Sequence, residues 1–324
     1  MINYKIHSDD ELWNGFISKS NEFITIGHNP SICRVLNRSF GYDANYQVIL
    51  EEEKIIGVFP SMKDKEKLIS IPHFSYGDIL LENKKELLST IKSELYGDSY
   101  FIRSFQKYGD FFESNKVISF INLHNSEDEQ WKHWKSKLRS QIKKGLKNNF
   151  VIKNGSSISL LEDFYSVYTV NMKDLGSPVL PKIFFENLLK FYEYGGLNIV
   201  CVYKDSEVVG AGFVIEYQGF SEVCWASTIR YYNKFNVNMV LYWEMIKTQI
   251  SEKSTIFSFG RSTINFGTYK FKQQWGVQNI PIFLNKSHSG SNIFRKLDFL
   301  KKVWTLLPLK ISIILSGLIS KKIY

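Results

Sequence analysis

The chain has only three cysteines in 324 residues, and it contains no Cys-x-x-Cys motif. Cys33, Cys201 and Cys224 are odd in number and far apart, which excludes a disulfide scaffold and gives no zinc-binding spacing. Cys201 and Cys224 fall in apolar, strand-like segments, where reduced core cysteines are expected. The sequence therefore predicts neither a structural disulfide nor a metal site.

The start of the chain, Met-Ile-Asn-Tyr-Lys-Ile-His-Ser-Asp-Asp, lacks the apolar core of a signal peptide. This start predicts a protein that is made and kept in the cytoplasm. The composition is 44% hydrophobic and 15% aromatic, which is typical of a packed globular protein and excludes a disordered one. The length is sufficient for two domains with separate cores.

Acidic residues are in the minority. The chain has 32 acidic and 41 basic residues, which gives a net charge of +9. This excess indicates an anionic partner, such as RNA, a phosphate-bearing substrate or an acidic membrane face. The same balance also occurs in ordinary proteins of lysine-rich proteomes, so both interpretations are open.

Hydrophobic patterning divides the chain into two halves and two further segments. Residues 1–128 are predicted to form two helices, a hairpin over residues 46–60 and further strands. Residues 151–285 are predicted to form two helices, three antiparallel strands, a helix, a strand, a helix and a last strand. Residues 129–150 are predicted to form an amphipathic connecting helix, and residues 286–324 an apolar helical tail. The predicted fold class is α+β, with a mostly antiparallel mixed sheet flanked by helices in each half.

The predicted connecting helix carries apolar and basic residues on different faces. Arg139 and Lys143 belong to the basic face. A generic helix would present such a face to solvent. The alternative is that Arg139 and Lys143 contact a phosphate of a donor or an acceptor.

The most informative stretch is residues 257–276, FSFGRSTINFGTYKFKQQWG. Its apolar start predicts a strand that ends at Gly260, followed by a polar loop to Gly267 and a helical turn. This arrangement places cations and aromatic residues at the carboxyl end of a strand, where open sheets commonly bind ligands. The members are Arg261, Tyr269, Lys270, Phe271 and Lys272. The competing interpretation is an edge loop with a solvated basic rim.

This stretch resembles the carboxyl-terminal signature of the FemAB-like transferases, a branch of the GNAT acyltransferase superfamily. The family pattern is Phe-Asp-Phe-Gly-Arg-Ser, a gap, then Phe-Lys and Trp-Gly, and Ser258 stands here in place of the aspartate. Residues 72–78, PHFSYGD, are similar to the Pro-Phe-x-x-Tyr-Gly-Gly turn of the same family. Residues 174–178, DLGSP, resemble a turn of a subgroup linked to exopolysaccharide loci. The resemblance implies two tandem GNAT-like domains with the substrate between them.

The resemblance also implies roles for individual residues. Lys272 would be the cation at the donor carbonyl or phosphate, and Arg261 would bind phosphate or carboxylate through two hydrogen bonds. Asp174 would be a base for the acceptor amine, although it could equally cap the next element. The acceptor loop would present His73, Tyr76 and Asp78. Trp225, Tyr232 and Tyr242 would be pocket walls, although aromatic residues at such spacings usually belong to the core.

The turn before the third helix of the second half lacks glycine, and this bears on the identity of the acyl donor. Acetyl-CoA enzymes of this fold bind pyrophosphate on a glycine-rich turn before the third helix, where backbone N–H groups reach the phosphates. Residues 228–238, TIRYYNKFNVN, contain no glycine, which argues against a standard CoA site. No tightly bound cofactor is expected, and the donor is aminoacyl-tRNA or acyl-CoA.

The predicted function is N-acyl or aminoacyl transfer to an amino sugar or amino acid of a cell-envelope polysaccharide or peptidoglycan precursor, free or lipid-linked. One alternative is acyl-CoA-dependent N-acetylation of a small molecule or sugar. Another is a non-catalytic protein that binds RNA or membrane through the basic helix and the tail.

The tail is apolar over residues 304–319, with lysines on both sides and Pro308 and Lys310 within it. It is short and interrupted for a membrane-spanning helix. Two interpretations are open: an interfacial anchor on the inner face of the cytoplasmic membrane, or a helix packed on the body of the protein.

Overall fold

A computed structural model describes residues 2–6, 9–82, 85–288 and 298–322. The helices are α1 (Asp10–Ile17), α2 (Ser31–Phe40), α3 (Leu88–Tyr96), α4 (Glu127–His133), α5 (Ser136–Leu146), α6 (Ile158–Asp174), α7 (Lys182–Phe191), α8 (Val237–Ser251), α9 (Gly267–Gln273), α10 (Asp298–Leu306) and α11 (Leu309–Ile319). The strands are β1 (Ile2–Ile6), β2 (Asp43–Ala44), β3 (Gln47–Glu51), β4 (Lys54–Phe59), β5 (Ser61–Asp64), β6 (Lys67–Ser70), β7 (Leu80–Leu81), β8 (Tyr100–Ser104), β9 (Phe111–Asn122), β10 (Val151–Gly155), β11 (Gly196–Lys204), β12 (Glu207–Tyr217), β13 (Phe220–Thr228), β14 (Ile256–Thr263) and β15 (Gln278–Lys286).

One large sheet runs through both halves of the molecule. Its strand order is β10-β11-β12-β13-β14-β9-β15-β8-β6-β5-β2, and a small sheet, β1-β3-β4-β7, lies in the first half. Both neighbours of β9 come from later in the chain, since β9 pairs with β14 on one side and with β15 on the other. The strand β15 also pairs with β8. The two halves therefore share a continuous backbone hydrogen-bond network.

From α6 onwards the second half has the predicted order of elements, but the strand β10 before α6 was not predicted. The predicted α+β class of helix-flanked mixed sheets is confirmed. The strands β11, β12 and β13 form antiparallel hairpins. Asp205, Ser206 and Gln218 have positive φ in the tight turns that join them. Apolar side chains on both faces of these strands are buried beneath helices, which makes this part of the sheet the core.

The strands β13 and β14 are parallel and pair over only three residues, Phe220–Glu222 with Ile256–Ser258. On its other edge β14 pairs with β9 from Ile256 to Thr263, so its ladder with β9 extends beyond its ladder with β13. The strands β13 and β14 therefore diverge towards their carboxyl ends, and a gap opens in the middle of the sheet. Such a gap at strand ends is a common location for ligands in open sheets.

The expectation that Gly260 ends its strand is wrong. Gly260 has φ of 68° and forms a bulge, after which β14 continues to Thr263 and pairs again with β9 at Arg261. A left-handed residue in a strand is nearly cost-free only for glycine. The glycine therefore redirects the strand without terminating it.

The predicted connecting segment contains two helices, α4 and α5, with an extended break at Trp134 and Lys135. The break places the Trp134 ring between two other indoles, with centroids 5.1 Å from Trp243 and 5.2 Å from Trp275. Leu138 and Ile142 of α5 are buried as the pattern predicts, but Leu146 is exposed. Burial of the large indole explains why helical periodicity is interrupted here.

Of the predicted tail, residues 289–297 and 323–324 lie outside the described residues. The helices α10 and α11 pack on the body beside the turn that follows α6. The backbone N–H of Val179 donates to Ser316 Oγ at 3.0 Å, and Lys173 Nζ donates to the carbonyl of Thr305 at 3.0 Å. Among the described residues, no helix combines the length and apolar character needed to cross a bilayer.

Candidate active site

A cavity of about 800 Å³ lies between the two halves, and residues from both halves line it. Its walls come from the loop after β6, from β8 and β9, from the α6–α7 segment, from β13 and β14, and from the tail helices. The lining residues are His73, Arg103, Glu113, Asn115, Lys116, Tyr168, Met172, Gly176, Ser177, Pro178, Val179, Leu180, Trp225, Arg261, Thr263, Phe266, Lys301, Trp304, Ile319 and Ser320. Four of these are basic and one is acidic, so the cavity favours an anionic ligand.

The gap between β13 and β14 places two predicted site residues on the cavity. Trp225 of β13 packs against a cluster of phenylalanines, with ring centroids 5.0 Å from Phe185 and 5.4 Å from Phe184. Arg261 of β14 directly follows the Gly260 bulge, beyond the point where the ladder with β13 ends. Both residues line the cavity.

Lys272 lies behind the cavity wall rather than in it. Its side chain is buried, and Nζ donates to the carbonyl of Gly260 at 2.8 Å and to the carbonyl of Arg261 at 3.0 Å. These two hydrogen bonds tie α9 to the bulge of β14. In this position Lys272 fixes the backbone that carries Arg261.

A buried carboxylate completes this network, and sequence reasoning missed it. Glu222 of β13 is opposite Ser258 in the parallel ladder, and Ser258 Oγ donates to Glu222 Oε2 at 2.8 Å. A carboxylate from the adjacent strand therefore lies beside Ser258. In the FemAB-like pattern, the position of Ser258 is itself an aspartate. Burial raises the pKa of Glu222, while hydrogen bonds from Ser75 and Ser258 and the cations Lys272 and Arg261 oppose that rise. The signal that could have identified Glu222 from the sequence is an acidic residue within a largely apolar strand.

The first half reaches this network through one loop. The backbone N–H of Arg261 donates to Ser75 Oγ at 3.3 Å, and Ser75 Oγ would lie 3.4 Å from a side chain added at Gly260. Ser75 follows His73 in the predicted acceptor loop. The network therefore joins that loop to the β14 bulge.

Lys272 makes the stability of the fold depend on pH. Burial lowers the pKa of Lys272 from 10.5 to about 7. Between these values the unfolded chain retains a proton that the folded protein has released, so raising the pH through this window stabilises the folded state. We expect the free energy of unfolding to rise by about 2 kcal/mol more in the wild type than in Lys272→Met between pH 7 and about pH 9. Urea unfolding at several pH values measures this, and parallel curves for the two proteins would contradict it.

His73 lies at the cavity in a neutral form. Burial lowers its pKa to about 3, and the nearby Arg103 guanidinium adds to this effect. Its ring packs 4.4 Å from the Phe40 centroid, and its backbone has φ of 69°. The Arg103 side chain is held in place by the loop after β6, because Nη1 donates to the carbonyl of Ile71 at 2.9 Å. A neutral imidazole here can form hydrogen bonds to a substrate, but it is not a proton donor at neutral pH.

Tyr76 and Asp78 of the same predicted loop do not line this cavity. The Tyr76 ring stacks on Phe105 with centroids 3.8 Å apart. Asp78 is buried, accepts from Tyr96 at 2.5 Å and pairs with Lys92 at 3.2 Å. Both residues line a separate cavity of about 140 Å³ in the first half.

The other predicted residues lie away from the cavity. Asp174 is exposed at the end of α6, although Met172 and Gly176, two residues away on either side, line the cavity. Tyr242 packs against Phe259 and Phe271 in the aromatic core beneath α8. Further exposed or half-buried positions are Arg139, Lys143, Tyr232, Tyr269 and Lys270. The structure does not bring these seven residues together with Arg261 at the cavity.

No pattern in the sequence pointed to the cavity residues of β9. Glu113, Asn115 and Lys116 line the cavity, Lys116 hydrogen-bonds Thr263 of β14, and Glu113 pairs with Lys286 of β15 at 2.5 Å. They became candidates only because β9 lies between β14 and β15. Within the described residues there is no cluster of His, Cys, Asp and Glu that could hold a metal ion.

The amino-terminal end of α8 is covered by α5. A methyl group added at Gly145 of α5 would lie 2.6 Å from Val240 Cγ2 and 3.0 Å from the carbonyl oxygen of Asn236. Asn148 Nδ2 also donates to the carbonyl of Phe235 at 3.1 Å. Val237, Met239 and Val240, in the first turn of α8, are buried. The start of α8 therefore packs against α5 through Val240 and the carbonyl oxygen of Asn236.

The strands β11 to β14, the gap between β13 and β14, and the helix α8 that begins after β13 all lie within one segment that matches a known sequence family. The family model described as acetyltransferase (GNAT) domain matches residues 134–273. Residues 134–273 are therefore similar to GNAT acyltransferase domains, and this similarity supports an enzyme of the acyltransferase class. A search of curated protein sequences gives no match.

Solved structures extend the similarity to both halves. The crystal structure of FemX has a TM-score of 0.66 at 11% identity, and the match covers 87% of this chain and 96% of FemX. L-PGS from Bacillus licheniformis has a TM-score of 0.53 at 10% identity, covering 92% and 98%. A tandem GNAT protein from the clavulanic acid biosynthesis pathway has a TM-score of 0.53 at 7% identity, covering 90% and 100%. These similarities confirm the tandem GNAT-like fold.

Proposed function

We propose that this enzyme transfers an aminoacyl group from aminoacyl-tRNA to the amine of a cell-envelope precursor, either an amino sugar or an amino acid. The reaction takes place in the cavity between the halves. Acyl transfer is supported by the similarity of residues 134–273 to GNAT domains. The identity of the donor and the class of the acceptor are proposals.

The covered end of α8 is the observation that carries the choice of donor. A CoA pyrophosphate needs exposed backbone N–H groups at the start of this helix. Here Val237 and Val240 of the first turn are buried, and Val240 packs against Gly145 of α5. A CoA thioester is therefore a poor fit, whereas a donor that enters through the cationic cavity does not need this helix end.

The outer surface of α5 is suited to a nucleic acid. Lys143, Lys144 and Lys147 are exposed there, and no acidic residue occurs between positions 130 and 161. Phosphate backbones bind such surfaces through charge, without base-specific contacts. In this proposal Arg139 and Lys143 contact the tRNA while the aminoacylated end enters the cavity.

The chemistry needs an uncharged amine, a fixed carbonyl and stabilisation of the oxyanion. The amine nitrogen bonds to the carbonyl carbon, the ester bond to the ribose oxygen breaks, and the proton from the amine ends on that oxygen. Arg261 places a positive charge at the cavity wall, Lys272 fixes its backbone, and Glu113 supplies a carboxylate that can accept the amine proton. The neutral His73 can orient either substrate by hydrogen bonding.

The acceptor class is proposed from the cavity and from the fold relatives together. The cavity is large enough for a sugar or a short peptide. FemX and L-PGS share the fold, and so does a domain of a putative lysylphosphatidylglycerol synthetase, whose name refers to an aminoacylated lipid. We propose that the enzyme works in the cytoplasm, at the inner face of the cytoplasmic membrane.

The proposed donor is tested by offering both donors to the purified enzyme with an extract of envelope precursors. With tRNA charged with labelled amino acids, we expect label in an alkali-resistant amide product, whereas labelled acetyl-CoA should give none. Isothermal titration should detect no CoA binding at concentrations up to about 1 mM, the upper end of ordinary substrate constants. Acetylated product with tight CoA binding would overturn the donor assignment and favour the acetyltransferase alternative.

A comparison of cells with and without the enzyme tests the acceptor independently. Mass spectrometry of envelope glycans and peptidoglycan precursors should show one amide-linked addition that disappears in the deletion strain. Restoration by the wild-type chain is the positive control. An unchanged envelope profile would contradict the acceptor class.

A further inference from the structure

The tail helix α11 has its polar and apolar faces reversed relative to an ordinary surface helix. Ser312, Ser316 and Ser320, spaced four residues apart, are buried against the body. The opposite face exposes large aliphatic side chains at helical spacing, namely Ile311, Ile314, Leu315 and Leu318. Surface helices of globular proteins place apolar residues inward and polar residues outward. The orientation of α11 therefore provides an apolar surface.

Hydrogen bonds and close packing fix this orientation. Ser316 Oγ accepts from the backbone N–H of Val179 and donates to the carbonyl of Ser312. The small serine side chains let the helix lie close to the turn after α6. Turning α11 to bury its aliphatic side would bring Ile314 and Leu318 into the space that the serines occupy.

The exposed apolar side chains of the tail are large. Leu306, at the end of α10, is 83% exposed, and on α11 Leu318 is 74% exposed and Ile314 is 67% exposed. Large aliphatic side chains exposed together on one helix mark an interaction site in soluble proteins. Exposed lysines accompany it at positions 302, 310 and 322, and no acidic residue occurs after Asp298.

We infer that this face, defined by Leu306, Ile311, Ile314, Leu315 and Leu318, docks on a bilayer that contains anionic lipid. Aliphatic residues with flanking lysines are the chemistry by which interfacial helices bind such membranes. A symmetric contact with a second copy is disfavoured, because it would bring lysines together with no acidic residue of the tail to pair with them.

The docking face is joined to the cavity by the same helices. Lys301, Trp304, Ile319 and Ser320 form part of the cavity wall, while Leu318 and Leu306 face solvent. Membrane docking therefore places the cavity beside the lipid head groups, where an acceptor anchored in the bilayer would present its amine. This functional consequence rests on the proposed function, whereas the docking itself does not.

Vesicle flotation without donor or acceptor tests the docking separately from catalysis. The probes are vesicles of phosphatidylcholine alone and of equal parts phosphatidylglycerol and phosphatidylcholine. We expect the full chain to float with the anionic vesicles, to bind neutral vesicles at least about tenfold more weakly, and to dissociate at high salt. A chain that stays off both vesicles, or that binds both equally, would overturn the inference.

A charge-matched pair of variants locates the surface. Ile314→Glu combined with Leu318→Glu should weaken binding to anionic vesicles at least about tenfold. Leu12→Glu combined with Ile158→Glu adds the same charge at positions that are 59% and 58% exposed elsewhere, and it should bind as the wild type does. Equal losses in both variants would show a general charge effect and overturn the assignment. Light scattering tests the alternative of a protein partner. A wild-type dimer that is lost only in the Ile314→Glu, Leu318→Glu variant would show that the face binds a second copy and would overturn the inference.

Discussion

Replacing Arg261 with alanine is expected to reduce kcat/KM for acyl transfer at least about 100-fold, because a cavity cation that meets developing negative charge contributes on that scale. Arg261 lines the cavity next to the β14 bulge, and both its backbone N–H and its carbonyl are held by neighbouring side chains. The measurement is steady-state transfer from labelled aminoacyl-tRNA. Because the role requires charge, Arg261→Lys should retain more activity than the alanine variant.

Arg230→Ala is the matched control for this prediction. Arg230 is exposed at the start of the turn before α8 and does not line the cavity. Its removal lowers the net charge equally and should change kcat/KM by less than about threefold. If Arg230→Ala and Arg261→Ala lose activity to the same extent, the loss reflects overall charge and Arg261 has no special place at the site.

Lys272→Met is expected to lower turnover about two orders of magnitude. The structure gives the physical reason: removal of the Lys272 amino group leaves the carbonyls of Gly260 and Arg261 without their buried hydrogen-bond donor and frees the bulge to move. A positioning role also predicts a lower Tm. A direct contact with substrate would leave the Tm nearly unchanged, so calorimetry beside the kinetic assay separates the two roles.

Lys270→Met provides the comparison within the same helix. Lys270 lies two residues earlier in α9 and is exposed, so its replacement should leave both the Tm and turnover close to those of the wild type. Near-normal turnover in Lys272→Met would refute any role for this residue in the reaction, whether through contact or through positioning.

Local patterns were sufficient to predict the hairpins of the second half, because strand alternation and turn residues act over short distances. They did not show that β15 lies between β8 and β9, since neighbours in a sheet are chosen by burial of whole faces and not by local sequence. Gly260 illustrates the same limit. Its backbone freedom suits the end of a strand as well as a bulge, and only pairing with β9 decides between them.

The same distinction applies to the site. Arg261, Trp225 and His73 were found from residue type and resemblance, and the structure places all three at the cavity. Glu222 and Lys116 were missed because their importance depends on which strand lies beside them. The inverted face of α11 was visible as an apolar run, but its direction depends on the serines that pack beneath it.

The pairing of β9 bears on how the nascent chain acquires its structure. Both partners of this twelve-residue strand, β14 and β15, are synthesised more than 130 residues after it. Until then the backbone N–H and C=O groups of β9 lack the strands that pair with them in the folded protein. Unpaired strands of this kind can associate wrongly with other polypeptides. Completion of the sheet around β9 therefore waits until β15 has left the ribosome.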